Sequence, residues 1–170
     1  VRLWDLRAEE ATPTILPMSD EAVTALSFDA GGKWLAAGNE VGRVSIFEVA
    51  RGEETCTIPA HAGTLLALQF QDDGRTLVSA AADAAVKLWN ARTGELTGGF
   101  GGQGHGITVW DARTGVMRSE RDVVGAGTEA IAFSLDGRTV VIGAGEAPRG
   151  ALCTAISPDG RLLATGSFDG

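Results

Sequence analysis

The chain has 170 residues, of which 14 are basic and 22 acidic, so its formal net charge of −8 disfavours binding to a phosphate backbone. No apolar run approaches the roughly 18 residues of a membrane-spanning helix, and the two cysteines, Cys56 and Cys153, form neither a disulfide framework nor a metal-binding spacing. We therefore expect no nucleic-acid or membrane partner, no cofactor, and a reducing, cytoplasmic location.

Short apolar runs separated by turn residues predict an all-β protein. Asp-Gly pairs at Asp73-Gly74, Asp136-Gly137 and Asp159-Gly160 favour tight antiparallel turns, because they tolerate positive φ. The 24 glycines are about twice the usual share, as many turns require. In chain order, strands are expected at 1–6, 13–18, 22–28, 33–38, 43–49, 53–58, 65–70, 76–81, 85–90, 95–100, 107–112, 116–121, 129–134, 138–143, 151–157 and 161–167.

A repeat of about 42 residues organises these strands. Trp4, Phe47 and Trp89 end similar strands at intervals of 43 and 42 residues, and Gly31 and Gly74 mark turns 43 residues apart. Two complete sets of four strands are therefore predicted, at 22–58 and 65–100.

The period then breaks near 100–106 and 146–150. Trp110 follows Trp89 by only 21 residues, and Gly137 follows Gly74 by 63. The strands in 107–121 therefore read as an outer pair without an inner pair, and those in 129–143 as an inner pair without an outer one. We expect missing or rearranged hairpins there; together the two pairs supply the strands of one sheet.

The two ends of the chain complement each other. Residues 162–170 end at an Asp-Gly turn, and Val1-Arg2-Leu3-Trp4-Asp5 supplies the strand that such a turn enters. This predicts that 1–6 pairs with 161–167. The whole of 1–170 would then form one domain, with 1–18 completing the sheet begun by 151–170 and closing a ring without exposed edges.

The same residues carry a family resemblance. Residues 156–167 followed by 1–5 resemble the WD-repeat unit, as do Val86-Lys87-Leu88-Trp89-Asn90 and Ile107-Thr108-Val109-Trp110-Asp111. His61 stands where that family has the histidine of its Gly-His element, although Ala60 replaces the glycine. The resemblance covers nearly the whole chain and implies a β-propeller of four-stranded antiparallel blades, truncated or with missing hairpins. It implies no reaction.

The resemblance also assigns structural roles. His61, Ser79, Asp83 and Trp89 resemble the hydrogen-bond network that orders a blade of this family, although three of them are also the residue types of a catalytic triad. Trp4, Trp89 and Trp110 recur at one point of the repeat, which favours packing. The glycine-rich segment 101–106 lacks the third glycine of a phosphate loop and leads into a strand, so it reads as a turn, and the role of His105 stays open.

Partner-binding positions follow from the same resemblance. In this family the loop before the innermost strand and the loop after the second strand commonly bind partners. Those loops here contain Asp20, Glu21, Glu40, His61, Asp83, Glu129 and Arg149. Trp34 has no aromatic counterpart in the other repeats, so it is either a contact residue or locally buried.

We therefore expect a non-catalytic platform for protein–protein interaction, with a basic protein as one option for the partner. One alternative is a sensor propeller of a larger kinase or nucleotidase chain. Another is a propeller enzyme or small-molecule binder that uses the central channel, which needs polar side chains on the inner strands. The chain instead has Ala25, Leu68, Ala132 and Ala155 there. The number of blades, ring closure and oligomeric state stay open at this point.

Overall fold

All regular elements that the structure describes are β-strands. This computed structural model describes residues 1–7, 12–18, 20–83, 85–101, 106–112, 114–121, 131–134, 138–144, 151–157 and 162–167. Within these ranges, no helix is long and apolar enough to cross a bilayer.

Sixteen strands are present in the described ranges, and they form five antiparallel sheets. In chain order they are β1 (Arg2–Leu3), β2 (Thr14–Ile15), β3 (Val23–Phe28), β4 (Trp34–Asn39), β5 (Arg43–Glu48), β6 (Glu53–Pro59), β7 (Leu65–Phe70), β8 (Thr76–Ala81), β9 (Ala85–Asn90), β10 (Leu96–Gly101), β11 (Gly106–Asp111), β12 (Val116–Arg121), β13 (Ile131–Phe133), β14 (Thr139–Ala144), β15 (Ala151–Ile156) and β16 (Leu163–Ser167). The strand orders are β1-β2 (sheet A), β3-β4-β5-β6 (sheet B), β10-β9-β8-β7 (sheet C), β12-β11-β14-β13 (sheet D) and β15-β16 (sheet E).

Asp-centred turns set the hairpins of sheets B and C. Asp73 accepts hydrogen bonds from the backbone N–H groups of Arg75 and Thr76, both at 2.8 Å, and Gly74 has φ +59°. In sheet B the left-handed residue of the equivalent turn is Gly32, with φ +65°. Gly32 lies 42 residues before Gly74, so the two turns keep the repeat.

Sheet D joins the two half-sets at which the period breaks. β11 pairs with β12 on one side and with β14 on the other, and β13 pairs with β14. The outer hairpin therefore precedes the inner hairpin along the chain, the reverse of the order in sheets B and C. Half-period steps in the sequence are absorbed by this rearranged order within one sheet.

The sheets pack face to face in chain order. Innermost strand β3 contacts β7, β7 contacts β13, and β13 contacts β15. Between sheets B and C, Leu65 and Phe70 are buried with Ile46, Ile58 and Trp89. Each such large apolar side chain stabilises the fold by about 1.5–3 kcal/mol relative to its exposed state. Sheet A packs Leu16 against Leu35 and Phe47 of sheet B.

The predicted pairing of 1–6 with 161–167 is not formed in this structure. β1 pairs with β2, and β16 pairs with β15, in two separate sheets. Among the described residues, sheet A packs on sheet B through Leu16, and β15 of sheet E contacts β13 of sheet D. Trp4, expected to pack, is 54% exposed because sheet A contains only the outer hairpin. The assignment of 1–18 to the sheet begun by 151–170 stays a prediction.

Two left-handed glycines differ in their surroundings. Gly42 has φ +84°, and a Cβ built there would lie 2.1 Å from the carbonyl oxygen of His61. Gly32 has φ +65°, but a Cβ there would meet nothing within 4 Å. The backbone of the loop after β4 thus lies directly against the loop before β7.

We predict that Gly42→Ala destabilises the protein much more than Gly32→Ala. The Gly32 variant should cost roughly 1–2 kcal/mol for a left-handed alanine, whereas the Gly42 variant should add about 1–3 kcal/mol from the clash with His61. Urea unfolding midpoints of both variants and the wild type measure this difference. Equal midpoints for the two variants would show that the close approach at Gly42 contributes nothing.

Candidate functional site

Four side chains of sheet C form one hydrogen-bonded chain. His61 lies in the loop before β7, Ser79 in β8, Asp83 in the loop after β8, and Trp89 in β9. The Trp89 Nε1–H donates to Ser79 Oγ at 2.8 Å, and Ser79 Oγ lies 2.7 Å from His61 Nε2. His61 Nδ1 lies 3.0 Å from both carboxylate oxygens of Asp83. The network therefore joins β8 and β9 to the two loops at one edge of the sheet.

The surroundings of the network lower the pKa of both titratable members, His61 and Asp83. Burial lowers the pKa of His61, and the attraction of Asp83 offsets this only in part. Burial by itself would raise the pKa of Asp83, but hydrogen bonds from the backbone N–H groups of Ala62 and Ala85, both at 3.1 Å, and the contact with His61 hold it below its usual value. A neutral His61 then donates a hydrogen bond from Nδ1–H to the Asp83 carboxylate and accepts a hydrogen bond from the Ser79 hydroxyl at Nε2.

This arrangement has the residue types and spacing of a catalytic triad, yet its serine cannot act as a nucleophile. Ser79 is fully buried, and its oxygen already accepts the Trp89 indole N–H. The His61 side chain is also fully buried. A substrate carbonyl has no path to Ser79 Oγ, so these four groups serve as mutual partners inside a packed sheet.

The positions of sheet B that correspond to Ser79, Asp83 and Trp89 carry apolar side chains. The positions 42 residues before Ser79, Asp83 and Trp89 hold Ala37, Val41 and Phe47. Ala37 and Phe47 are fully buried in an apolar cluster with Leu16 and Leu35. Ser79 and Trp89 are thus hydrogen-bonded in sheet C, whereas their equivalents in sheet B, Ala37 and Phe47, belong to an apolar cluster.

Loops of sheets B and C are joined to each other along the same edge. We call residues 20–22, 39–42, 60–64 and 82–83 the rim. Glu40 N–H donates to the carbonyl of Ala22 at 3.0 Å, and Glu40 Oε1 accepts from the N–H of Ala22 at 3.2 Å. The Thr64 hydroxyl donates to the carbonyl of Glu40 at 3.0 Å, and the Thr64 carbonyl accepts from Ala82 at 2.9 Å.

The rim gathers most of the predicted partner-binding residues that the structure describes. Asp20, Glu40 and Asp83 are exposed there, Glu21 is half-buried, and His61 is buried beneath them. Glu129 and Arg149 lie outside the described residues, as does His105.

Trp34 lies away from the rim. It begins β4, at the end of the strand opposite Glu40, and its N–H donates to Asp29 Oδ1 at 2.7 Å. The ring is half-buried and lies 5.1 Å from Lys33 Nζ. The structure therefore separates Trp34 from the other candidates.

Sequence reasoning missed two residues that hold the rim together. Asn39 is fully buried and its Oδ1 accepts the Arg43 N–H at 2.8 Å, which shapes the loop after β4. The Thr64 hydroxyl bridges to the loop of the preceding sheet. An asparagine at a strand end and a threonine before the next strand are the signals that mark them.

No group of metal-binding side chains is found where the structure describes the chain. Within those ranges, no three His, Cys, Asp or Glu side chains cluster closely enough to hold an ion. A cleft of about 410 Å³ opens beside the β7–β8 turn and is lined by Asp72, Asp73 and Thr76 among others. The Asp73 carboxylate is already occupied by the turn hydrogen bonds, so the cleft offers no set of available ligands.

Comparison with known proteins assigns these features to repeats. Residues 52–90 and 145–170 match the family described as WD domain, G-beta repeat. Eukaryotic translation initiation factor 3 subunit I of Drosophila willistoni is 28% identical over 95 residues, which cover 55% of this chain. The chain covers only 30% of that relative.

Two solved structures share the fold. A structure of the RRP9 WD40 repeats matches with a TM-score of 0.59 and 14% identity, over 66% of this chain and 42% of that chain. The computationally designed Ika4 protein matches with a TM-score of 0.63 and 20% identity, over 92% of this chain and 91% of that chain. The second likeness extends across nearly all of the present chain.

We predict that Ser79 and Trp89 are energetically coupled. Ser79→Ala should cost about 2–4 kcal/mol, because it leaves the buried Trp89 N–H and His61 Nε2 without their partner. The double variant Ser79→Ala with Trp89→Phe has the same two residue types as Ala37 and Phe47 of sheet B. It no longer contains the indole N–H that Ser79→Ala alone leaves without a hydrogen-bond partner. The double variant should therefore cost at least about 1 kcal/mol less than the sum of the single variants. Additive losses in urea unfolding would contradict the coupling.

We also predict a pH dependence that belongs to His61. Its ordinary pKa is 6.5 and the folded value is lower, so the unfolded chain binds the proton more tightly. The stability contributed by the neutral ring is present above pH 6.5 and is lost as the pH falls through 6.5 towards the folded pKa. The depressed pKa of Asp83 acts only below its ordinary 3.8.

Unfolding free energies measured from pH 7.5 to 5.0 should fall less steeply for His61→Asn than for the wild type. The asparagine variant retains a donor towards Asp83 but has no proton to gain in this range. Parallel pH profiles for the two proteins would show that His61 does not titrate differently in the folded and unfolded states.

Proposed function

Because the chain belongs to the WD-repeat β-propeller family, we propose that it is a non-catalytic platform for protein–protein interaction that binds a basic protein partner at the rim. The name of the initiation-factor relative describes a subunit, which supports a role in contacts between proteins. The chain covers less than a third of that relative, so this proposal concerns the rim of the present chain.

The observation that carries the proposal is the charge of the rim. Asp20 and Glu40 are exposed there, Glu21 is half-buried, and the side chain of Asp83 is 20% exposed. The depressed pKa of Asp83 keeps that group ionised at neutral pH. Arg43 and Lys87 are basic groups beside the rim, and the Lys87 ammonium donates to the Ala60 carbonyl. The rim is therefore net acidic, which favours encounter with positively charged partners.

The burial of the Ser79, His61 and Asp83 network supports a role without catalysis. Its serine oxygen is sealed inside the sheet and hydrogen-bonded to Trp89, so the groups that could perform acyl transfer are used for structure. Leu68 and Ala132, which stand on inner strands, are buried as well, so neither supplies a polar group to a channel.

The net charge of −8 supports the exclusion of nucleic acids and anionic membrane surfaces from the proposed partners. We place the protein in the cytoplasm, where the free, half-buried thiol of Cys56 would stay reduced.

The test compares two double charge reversals against an array of Lys- and Arg-rich peptides. Asp20→Lys with Glu40→Lys changes the rim, and Glu53→Lys with Glu54→Lys makes the same charge change on strand β6. We expect the rim variant to bind the peptides that the wild type captures with an association rate about tenfold lower, because the attracting charges act on encounter.

The rim variant should also lose most of the salt dependence of the association rate, while the β6 variant keeps both the rate and its salt dependence. Equal effects of the two variants would show that the overall charge, and not the rim, attracts the peptides. A hydrolase activity that purifies with the wild type and disappears in Ser79→Ala would favour an enzyme instead.

A further inference from the structure

Sheet B leaves apolar residues exposed that sheet C buries. Three residues of the inner strand β7, Leu65, Leu68 and Phe70, are 0%, 6% and 3% exposed. The residues 42 positions earlier on the inner strand β3 are Val23, Leu26 and Phe28, which are 37%, 54% and 51% exposed. Apolar side chains at the same three positions of the repeat are therefore buried in sheet C and partly exposed to solvent in sheet B.

The missing neighbour can be located from the register of sheet B. Leu26 lies opposite Ala37, and Phe28 lies opposite Leu35, so these pairs share one face of the sheet. On that face sheet A covers Leu35 and Ala37 with Leu16. Sheet A consists of an outer hairpin alone, so no inner strand of sheet A covers Leu26 and Phe28.

Sheet E is an inner hairpin of matching design. Its register pairs Cys153 with Gly166 and Ile156 with Leu163, with a shift between Ala151 and Cys153. Sheet B pairs Ala25 with Gly38 and Phe28 with Leu35, with a shift at the same point of the hairpin. Gly166 therefore holds in sheet E the position that Gly38 holds in sheet B.

At Gly38 of sheet B, two leucine side chains of the neighbouring sheet C pack against the backbone. A Cβ at Gly38 would lie 2.8 Å from Leu65 Cγ and 3.2 Å from Leu68 Cδ1, so the absence of a side chain makes room for both. Val23 and Leu26 are the equivalents of these two leucines. A sheet E hairpin packed on β3 would present Gly166 to Val23 and Leu26 in the same way.

We propose that the exposed face of sheet B is covered by the β15-β16 hairpin of a second copy of this chain, which joins sheet A to complete a four-stranded sheet. The hairpin of the same chain does not cover this face, because β15 and β16 form a separate sheet that contacts β13 of sheet D, and Leu26 and Phe28 stay exposed. Two copies can satisfy each other, because each offers one outer hairpin and one inner hairpin. The resulting dimer contains two completed four-stranded sheets, each made of sheet A of one copy and sheet E of the other, and no two-stranded sheet is left over.

The repeat fixes the register of the new strand pair. Leu35 lies opposite Phe47 in sheet B, and Leu77 lies opposite Trp89 in sheet C. The equivalent pair across the interface is Leu163 with Trp4, and the next-but-one pair is Thr165 with Arg2. Trp4, which is 54% exposed in the single chain, would be covered by the completed sheet.

The first experiment measures mass against concentration by sedimentation equilibrium. The wild type should approach twice the 17.5-kDa mass of one chain as its concentration rises. Leu26→Ser with Phe28→Ser should raise the dissociation constant at least about 100-fold, because two buried side chains each contribute more than tenfold. Leu96→Ser, which replaces a 52% exposed leucine on β10, should leave it unchanged.

A second experiment separates exchange between copies from closure within one chain. Cys56 and Cys153 are first replaced by serine, and Arg2→Cys and Thr165→Cys are then made in separate preparations. Oxidation of the mixed preparations should give a covalent dimer of one chain of each kind, because paired strands hold the two sulfur atoms within bonding reach.

Two results would overturn the proposal. One is a single-chain mass at every concentration. The other is a chain carrying both cysteines that oxidises to a monomeric disulfide at every concentration, which would mean that the hairpin closes on its own chain.

Discussion

Burial of one sheet against the next is the constraint on which the other features depend. Leu65 and Leu68 of sheet C reach the backbone of sheet B at Gly38, and Leu16 of sheet A packs on Leu35. Each sheet is only one layer thick, so its two faces are buried only where a neighbour exists on both sides. The hydrogen-bond network, the joined loops and the exposed face of β3 all follow from where such a neighbour is present or absent.

Sheets B and C show that this packing tolerates two kinds of chemistry at one position. In sheet C the buried Ser79 lies between His61 and Trp89, and it is stable there because its hydroxyl is hydrogen-bonded to both side chains. Alanine and phenylalanine at the same positions of sheet B need no partners at all. A mixture of the two sets would leave a polar group unpaired, so these residues have to change together.

The sequence was sufficient to predict the strands of sheets B and C and their grouping, because the repeat spacing and the turn residues can be read without knowledge of contacts between sheets. It also indicated that the pairs in 107–121 and 129–143 supply one sheet, which β11 and β14 join. The pairing of 1–6 with 161–167 is not formed in this structure, in which β1 pairs with β2 and β16 pairs with β15, because complementary end sequences do not by themselves determine which strands pair. Trp34 lies at the start of β4, whereas the rim lies at the end of that strand. An argument from residue type alone does not consider at which end of a strand a residue lies.

The joined loops of the rim have a consequence for the thermodynamics of recognition. Separate loops lose conformational entropy when a ligand fixes them, often by 0.5–1.5 kcal/mol for each side chain that becomes immobile. Here the carbonyl of Glu40 and the backbone of Ala22, Thr64 and Ala82 are held to each other before any ligand arrives. Much of the conformational entropy of these loops is therefore lost on folding and not on binding. The Thr64 hydroxyl can in this way affect the free energy of ligand binding without contacting the ligand.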